Sequence, residues 1–184
     1  STYAIQNLVK DQRFIIQKGV KRQPAIFTQN ALIANPPAEG NAFVWVENAF
    51  LGEGWHYSSR NIITGIPKND WNITLPESVC VDVTPVGEAD YAVRVYGYDD
   101  AFRGDICDTG TLFLGVPVKE WMAQRGILPE DLRRLDDLQA ASLFPVTADK
   151  AEMERLVKWF FAEEPEMEDT ELWRSLRRLS ADEI

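Results

Sequence analysis

Apolar residues recur every six positions through the first third of the chain. Leu8, Phe14, Val20, Ile26, Leu32, Ala38, Val44, Phe50, His56 and Ile62 form one such series, and nine of the ten are apolar against 45% for the whole chain. A hexad with one inward apolar residue predicts a parallel β-helix, in which each short strand is one flat face of a triangular coil. Successive coils stack at about 4.8 Å, the ordinary spacing of strands. Small and polar residues fall where the turns belong, at Thr28-Gln29-Asn30, Glu39-Gly40-Asn41 and Gly52-Glu53-Gly54. Left-handed is the usual hand for hexads, although the spacing itself does not set it. A period of two also scores at every sixth residue, so an antiparallel sheet is the alternative. The inward set expected over 1–67 is Leu8, Phe14, Ile26, Leu32, Val44, Phe50 and Ile62.

Residues 68–115 change style. Ser78-Val79-Cys80-Val81-Asp82-Val83-Thr84 and Tyr91-Ala92-Val93-Arg94-Val95-Tyr96 alternate with period two around a turn at 85–90. That predicts a hairpin with one buried face. Leu112, Phe113 and Leu114 form a further short apolar run.

From 116 to 184 the pattern becomes helical. Pro117 suits a helix start and Gly126 the residue past its end, with Val118, Trp121, Met122 and Arg125 on one face. Pro129 opens a second short helix bearing Leu132 and Leu135. A third, near 148–162, has Thr147 or Asp149 as N-cap and Met153, Leu156, Val157, Phe160 and Phe161 as its apolar stripe. A last helix carries Leu172, Trp173, Leu176 and Leu179 against Arg174, Arg177 and Arg178. The fold class expected is therefore mainly β with α: parallel coils, then a hairpin region, then a small helical part packed on the strands. Ser180 and Glu183 have the spacing of a capping box, yet only Ile184 follows them. A helix started there has no room, so the chain reads as a piece of a longer polypeptide.

Composition narrows the function more than it defines it. The chain has 184 residues, 19 Lys plus Arg and 29 Asp plus Glu, for a net charge of −10. No basic run exceeds two residues, which disfavours nucleic acid and anionic membrane surfaces as partners. No apolar run approaches the roughly 20 residues of a spanning helix, and no signal segment opens the chain, so the expected location is cytoplasmic. Cys80 and Cys107 are too far apart for a CxxC pair, and His56 is the one histidine, which excludes a histidine-rich zinc site. There is no glycine-rich phosphate loop with a Lys, no GxSxG and no HExxH.

Four features could carry chemistry, each with a plainer reading. His56 lies on the hexad register, where acyltransferases of hexapeptide type place a general base; a packed or half-exposed structural histidine is the alternative. Trp45, Trp55, Tyr57 and Trp71 could stack on sugar rings as a carbohydrate-binding module, or simply fill the core. The loop Tyr98-Asp99-Asp100-Ala101-Phe102-Arg103-Gly104-Asp105-Ile106-Cys107-Asp108 is the most charged, and could meet sugar hydroxyls, a phosphate or a cation. Its spacing does not match a Ca²⁺ loop, and an Arg–Asp cluster that fixes loop geometry is the alternative. Asn72-Ile73-Thr74 fits a glycosylation acceptor, a coincidence in a chain without a secretory signal.

Four strings carry a resemblance. Ile62-Ile63-Thr64-Gly65-Ile66-Pro67-Lys68-Asn69-Asp70-Trp71, Val95-Tyr96-Gly97-Tyr98-Asp99-Asp100-Ala101-Phe102-Arg103-Gly104-Asp105, Asp136-Asp137-Leu138-Gln139-Ala140-Ala141-Ser142-Leu143-Phe144-Pro145 and Leu179-Ser180-Ala181-Asp182-Glu183-Ile184 resemble the bacterial bifunctional L-fucokinase/GDP-fucose pyrophosphorylases. Leu172-Trp173-Arg174-Ser175 resembles the more distant plant and animal members. The resemblance implies a central segment of a longer enzyme that phosphorylates L-fucose with ATP, then joins fucose-1-phosphate to GTP. It implies Mg²⁺ with both nucleotides in the complete enzyme, flanking nucleotidyltransferase and kinase domains as partners, and leaves a homo-oligomer open. The family's nucleotide loops are absent from these 184 residues. No catalytic or metal-ligating residue therefore transfers, and the segment reads as a non-catalytic scaffold. Arg94, Asp99, Asp100, Arg103 and Asp105 are the residues expected to come nearest a substrate.

Overall fold

A computed structural model describes residues 26–35, 40–41 and 43–184. The chain divides into two compact units, Ser1–Asp82 and Val83–Ile184. Among the described residues the fold is mainly β with three α-helices. Its principal sheet is mixed and open, with seven strands that run from Ile26–Ile33 at one edge to Arg178–Leu179 at the other.

In the first unit the strands are β1 (Ile26–Ile33), β2 (Val44–Leu51), β3 (Trp55–His56), β4 (Ile62–Thr64), β5 (Ile73–Thr74) and the start of β6 (Val79–Pro85). Every pairing among them is parallel. Ile26 lies beside Val44, Val46 beside Ile63, Ile63 beside Val81, and Trp55 beside Ile73. Each step advances the chain by 18 residues or, once, 17, which is three hexads. Val46, Ile63 and Val81 are all fully buried and stack as one column.

Sharp corners fall both within and between the strands. Asn30 and Asn48 have φ of 48° and 49°, and Phe43, Arg60 and Ser78 have φ of 59°, 57° and 66°. This left-handed region costs most L-residues about 1–2 kcal/mol, and asparagine tolerates it best. Asparagine side chains bond one another and the corner backbones. Asn30 Nδ2 donates to Asn48 Oδ1 at 2.8 Å, and buried Asn61 donates to the carbonyls of Pro76 and Val79 at 2.9 and 2.7 Å. Asn69 serves the carbonyls of Phe50 and Pro67 in the same way. The Glu53-Gly54 turn needs its glycine, because a Cβ there would overlap the Trp71 carbonyl oxygen.

The expected inward register holds only in part. Leu8 and Phe14 lie outside the described residues. Val44 and Ile62 are fully buried, but Leu32 is 51% exposed, Phe50 is half-buried and His56 is exposed. The cause is the corner. Asn48 in the left-handed region resets the in–out alternation, so Ala49 and Leu51 point inward and Phe50 between them does not.

The second unit continues from β6 with β7 (Tyr91–Gly97), and Val86 N–H donates to the Asp90 carbonyl across the turn between them. The expected hairpin is present as neighbouring strands. Its single buried face is not: Val79 to Val83 are buried on both faces of β6, as are Val95 and Tyr96 on β7. β8 (Leu112–Phe113) pairs antiparallel with β9 (Val116–Pro117). α1 (Val118–Gln124) follows, then 3-10 turns at Pro129–Asp131 and Leu138–Ala140. β10 (Phe144–Thr147) runs antiparallel to β7, and α2 (Lys150–Phe161), α3 (Met167–Ser175) and β11 (Arg178–Leu179) complete the chain.

The helix beginning at Pro129 is thus only a 3-10 turn. α2 is as the stripe predicted. Asp149 caps it by accepting from the N–H groups of Ala151 and Glu152, and Met153, Leu156, Val157 and Phe160 are buried. Phe161 is half-buried and Trp159 takes the deeper place. The last helix stops at Ser175; Leu179 instead pairs with Phe144 as a strand. Ser180 and Glu183 are in contact, with Ser180 donating from its N–H at 2.8 Å and from its hydroxyl at 3.2 Å to Glu183 Oε2.

Candidate functional site

The charged loop of the second unit is held at both ends by its own side chains. Asp100 is 5% exposed and accepts from the N–H groups of Gly97 at 2.6 Å, Leu114 at 2.9 Å and Gly115 at 3.4 Å. Burial raises its pKa above the usual carboxylate range, and those three N–H groups oppose the shift. Gly97 makes this approach possible, since a Cβ there would sit 2.5 Å from Asp100 Oδ1. Phe102, at φ 54°, stacks on Phe144 with ring centres 5.6 Å apart.

The loop's middle is fastened to the segment 135–138. Gly104 N–H donates to Asp137 Oδ1 and its carbonyl accepts from Leu138 N–H, while Ile106 N–H donates to the Leu135 carbonyl. Gly104 has φ 108° and lies against Thr111, so no larger residue fits. Between these anchors Asp99, Arg103 and Asp105 are exposed, and Arg94 is half-buried on β7. Asp105 Oδ1 accepts from Cys107 N–H. The structure thus brings Asp99, Arg103 and Asp105 onto one pinned loop and withdraws Asp100 into the backbone that supports it.

The other sequence candidates resolve differently. His56 is exposed on β3 opposite Thr74. Trp55 and Trp71 are 0% and 1% exposed, with ring centres 6.0 Å apart, and Trp55 Nε1 donates to Asn69 Oδ1. Tyr57 is half-buried and its hydroxyl donates to the Asn35 carbonyl. Two of these rings are therefore core, and no sugar can stack on them. Among the described residues no three His, Cys, Asp or Glu side chains are grouped to hold a metal ion. None of the helices there is long and apolar enough to cross a membrane.

Three arginine anchors in the second unit escaped the sequence reading. Arg125 is 1% exposed and lies 4.6 Å from the Trp121 ring centre. Its guanidinium donates to the carbonyls of Trp159 at 2.9 Å, Phe160 at 2.9 Å and Ala162 at 2.8 Å. These are the orphan acceptors at the end of α2, where a cation also complements the helix dipole. Burial pushes the guanidinium pKa down to about 10, so it stays charged at neutral pH. Arg174 grips both oxygens of Asp131 at 3.0 Å and donates to the Gly126 carbonyl. Arg178 lies 4.2 Å over the Trp173 ring and donates to the Asp131 carbonyl at 2.7 Å. The signal for Arg125 was its place on an otherwise apolar helix face; nothing in the local pattern marked the pairing across 43 residues of Arg174 with Asp131.

No family model matches the chain, and no solved structure matches it. The chain is 45% identical over 186 aligned residues to L-fucokinase/L-fucose-1-P guanylyltransferase of Bacteroides fragilis. The alignment covers 100% of this chain and 20% of that protein, so the chain spans about one fifth of its relative's length. The resemblance carried by the four strings is thereby a relationship over the whole chain, to a segment of a much longer bifunctional enzyme.

Proposed function

We propose that this chain is a segment of a longer enzyme that phosphorylates L-fucose at its anomeric oxygen and then joins fucose-1-phosphate to GTP, releasing pyrophosphate. Its own part is that of a non-catalytic scaffold between a nucleotidyltransferase and a kinase domain of the same polypeptide. The observation that carries this reading is the 45% identity over the full chain to the Bacteroides fragilis protein. The parallel pairings at 18-residue steps support a three-faced β-helix as the form of the scaffold, and a cytoplasmic setting follows from the reaction's nucleotides.

The residues here do not fit the Mg²⁺–triphosphate groups that the two reactions use. Such groups need carboxylates and basic side chains converging on one point. The guanidinium groups of Arg125, Arg174 and Arg178 bind the second unit's own carbonyls and carboxylates instead. Asp99, Arg103 and Asp105 are exposed on the loop and are the side chains that would face a substrate held mainly by flanking domains, whereas Asp100 serves the loop. Arg103→Ala in the longer enzyme then raises KM and leaves this segment's fold intact.

The test mixes the purified chain with Mg²⁺, GTP and fucose-1-phosphate, and separately with Mg²⁺, ATP and L-fucose. Neither pyrophosphate nor ADP should exceed a boiled control. Turnover in either mixture, abolished by one point substitution in this chain, would overturn the scaffold reading.

A further inference from the structure

We propose that Asp137 is a positioning residue: it fixes the backbone that presents Arg103 to the phosphate of fucose-1-phosphate. The proposal rests on the reading above, in which Arg103 faces a substrate held by a flanking domain. Arg103 stands between two residues at positive φ, Phe102 at 54° and Gly104 at 108°. A bulky residue seldom adopts that conformation, and it persists only where the surroundings over-determine it. Both neighbours of Arg103 are so held. The Phe102 ring stacks on buried Phe144 at 5.6 Å and meets the edge of buried Phe113 at 5.9 Å. Gly104 has no side chain to pack, and hydrogen bonds fix its backbone instead. Its N–H donates to Asp137 Oδ1 at 3.1 Å, and its carbonyl accepts from Leu138 N–H at 2.8 Å. Ile106, 2% exposed, extends the same ladder to the Leu135 carbonyl at 2.9 Å. Arg103 itself is exposed, and its guanidinium makes no hydrogen bond or ion pair among the described residues.

Asp137 is the polar side chain in this set of anchors. The oxygen that receives Gly104 N–H also caps the 3-10 turn Leu138–Ala140, by accepting from Gln139 N–H at 3.1 Å. One atom thus ties the loop to the turn. Deleting it loosens the Gly104 side of Arg103 and leaves the Phe102 side docked. What the tie supplies is preorganisation: a backbone already fixed loses no freedom when its side chain meets a ligand. The chemistry of the ligand follows from the guanidinium. Its planar fork of N–H donors matches the paired oxygens of a phosphate, and a charge-assisted pair of this kind is stronger than a bond to a neutral hydroxyl. Arg103 therefore discriminates fucose-1-phosphate from L-fucose, and Asp137 acts on that discrimination through Arg103.

The experiment measures both reactions of the longer enzyme. Arg103→Ala should raise KM for fucose-1-phosphate about tenfold, with kcat for guanylyl transfer and KM for L-fucose unchanged, the pattern of a lost binding contact. Asp137→Ala should raise the same KM several-fold and add nothing to Arg103→Ala in the double variant. Asp137→Asn keeps the accepting oxygen and should restore the wild-type KM. In the chain itself, amide exchange at Gly104 should quicken in Asp137→Ala and not in Asp137→Asn, with circular dichroism showing the fold retained in both. The positioning role is overturned, and the reading of Arg103 left standing, if Arg103→Ala behaves as stated while Asp137→Ala has a wild-type KM, adds its full effect in the double variant or is not rescued by Asn. Unchanged Gly104 exchange in Asp137→Ala also overturns it. No effect of Arg103→Ala on KM for fucose-1-phosphate overturns the substrate-facing reading and this proposal with it, and an equal rise in both KM values overturns the assignment to phosphate.

Discussion

Replacing Arg125 tests whether the helical core of the second unit is organised around a buried guanidinium. Arg125→Met keeps most of the aliphatic volume and removes every donor. The Phe160 carbonyl retains Trp121 Nε1 at 3.0 Å, so it stays satisfied. The Trp159 and Ala162 carbonyls lose donors at 2.9 and 2.8 Å. A buried acceptor left alone costs about 1–3 kcal/mol, though the Ala162 carbonyl is only part-buried and can find water. Loss of the cation over the Trp121 ring adds about 0.5–2 kcal/mol. Relief from burying a charge opposes both. The net expectation is a loss of about 2–3 kcal/mol for Arg125→Met and about 3–5 kcal/mol for Arg125→Ala, which also opens a cavity. Urea unfolding followed by tryptophan fluorescence measures it, since Trp121 and Trp159 line the site. The folded pKa near 10 lies below the ordinary guanidinium value, so the folded state sheds this proton first. This group's contribution to stability therefore rises with pH between those values and is flat at lower pH. The difference between wild type and Arg125→Met should accordingly be constant from about pH 6 to pH 9. A loss below about 0.5 kcal/mol for Arg125→Met would refute the idea that these carbonyls depend on it.

Phe160 is fully buried among Phe113, Trp121, Phe144 and Trp159, and its truncation to Ala should cost about 3–5 kcal/mol in the same urea assay; under about 1 kcal/mol would show that the face does not pack. Hydrogen bonding to Arg174 holds the Asp131 carboxyl below its ordinary pKa, so its stabilisation is present above the unfolded value of about 3.9 and is lost as pH falls through the folded one. Asp131→Asn should therefore cost about 1–2 kcal/mol at neutral pH and progressively less as pH falls below the unfolded value, checked by melts across the acid range. Asp100 has the opposite sign: its raised pKa favours the folded state below about 3.9, an advantage that fades as pH rises. Asp100→Asn should gain on wild type as pH rises, while Asp100→Ala, which orphans the Gly97 and Leu114 N–H groups, should be the less stable variant at every pH.

The period of six was legible because most parallel partners in the first unit lie 18 residues apart, three hexads along the chain. The phase was not, because it depends on a conformation rather than on hydrophobicity. Leu32 and Phe50 are as apolar as Val44, and only the left-handed φ at Asn48 decides that Phe50 faces out. The α2 stripe was legible because Asp149 supplies a start and five apolar positions agree. The last helix was overextended because Leu172, Leu176 and Leu179 satisfy helical spacing whether or not the chain stays helical. What ends it at Ser175 is distant: β10 offers Phe144 and Pro145 as partners for Leu179 and Arg178, and the Asp131 carbonyl accepts from Arg178. No local pattern contains those competitors.

The same distinction governs the site. A sequence shows which charges are close along the chain, while their use depends on what faces them. Asp99 and Asp100 are neighbours of identical type, yet one is exposed and the other receives three backbone N–H groups. The only local hint was Gly97, whose missing Cβ leaves room for the Asp100 carboxylate. The arginines make the argument stronger. A guanidinium committed to three helix-end carbonyls, or forked onto Asp131, is not free to neutralise a phosphate. Withdrawing one to do so would leave buried acceptors or a half-buried carboxylate unpaired. The second unit therefore spends its best-placed positive charge on its own closure. A phosphate meeting this unit would therefore have to find its countercharge elsewhere than on Arg125 or Arg174.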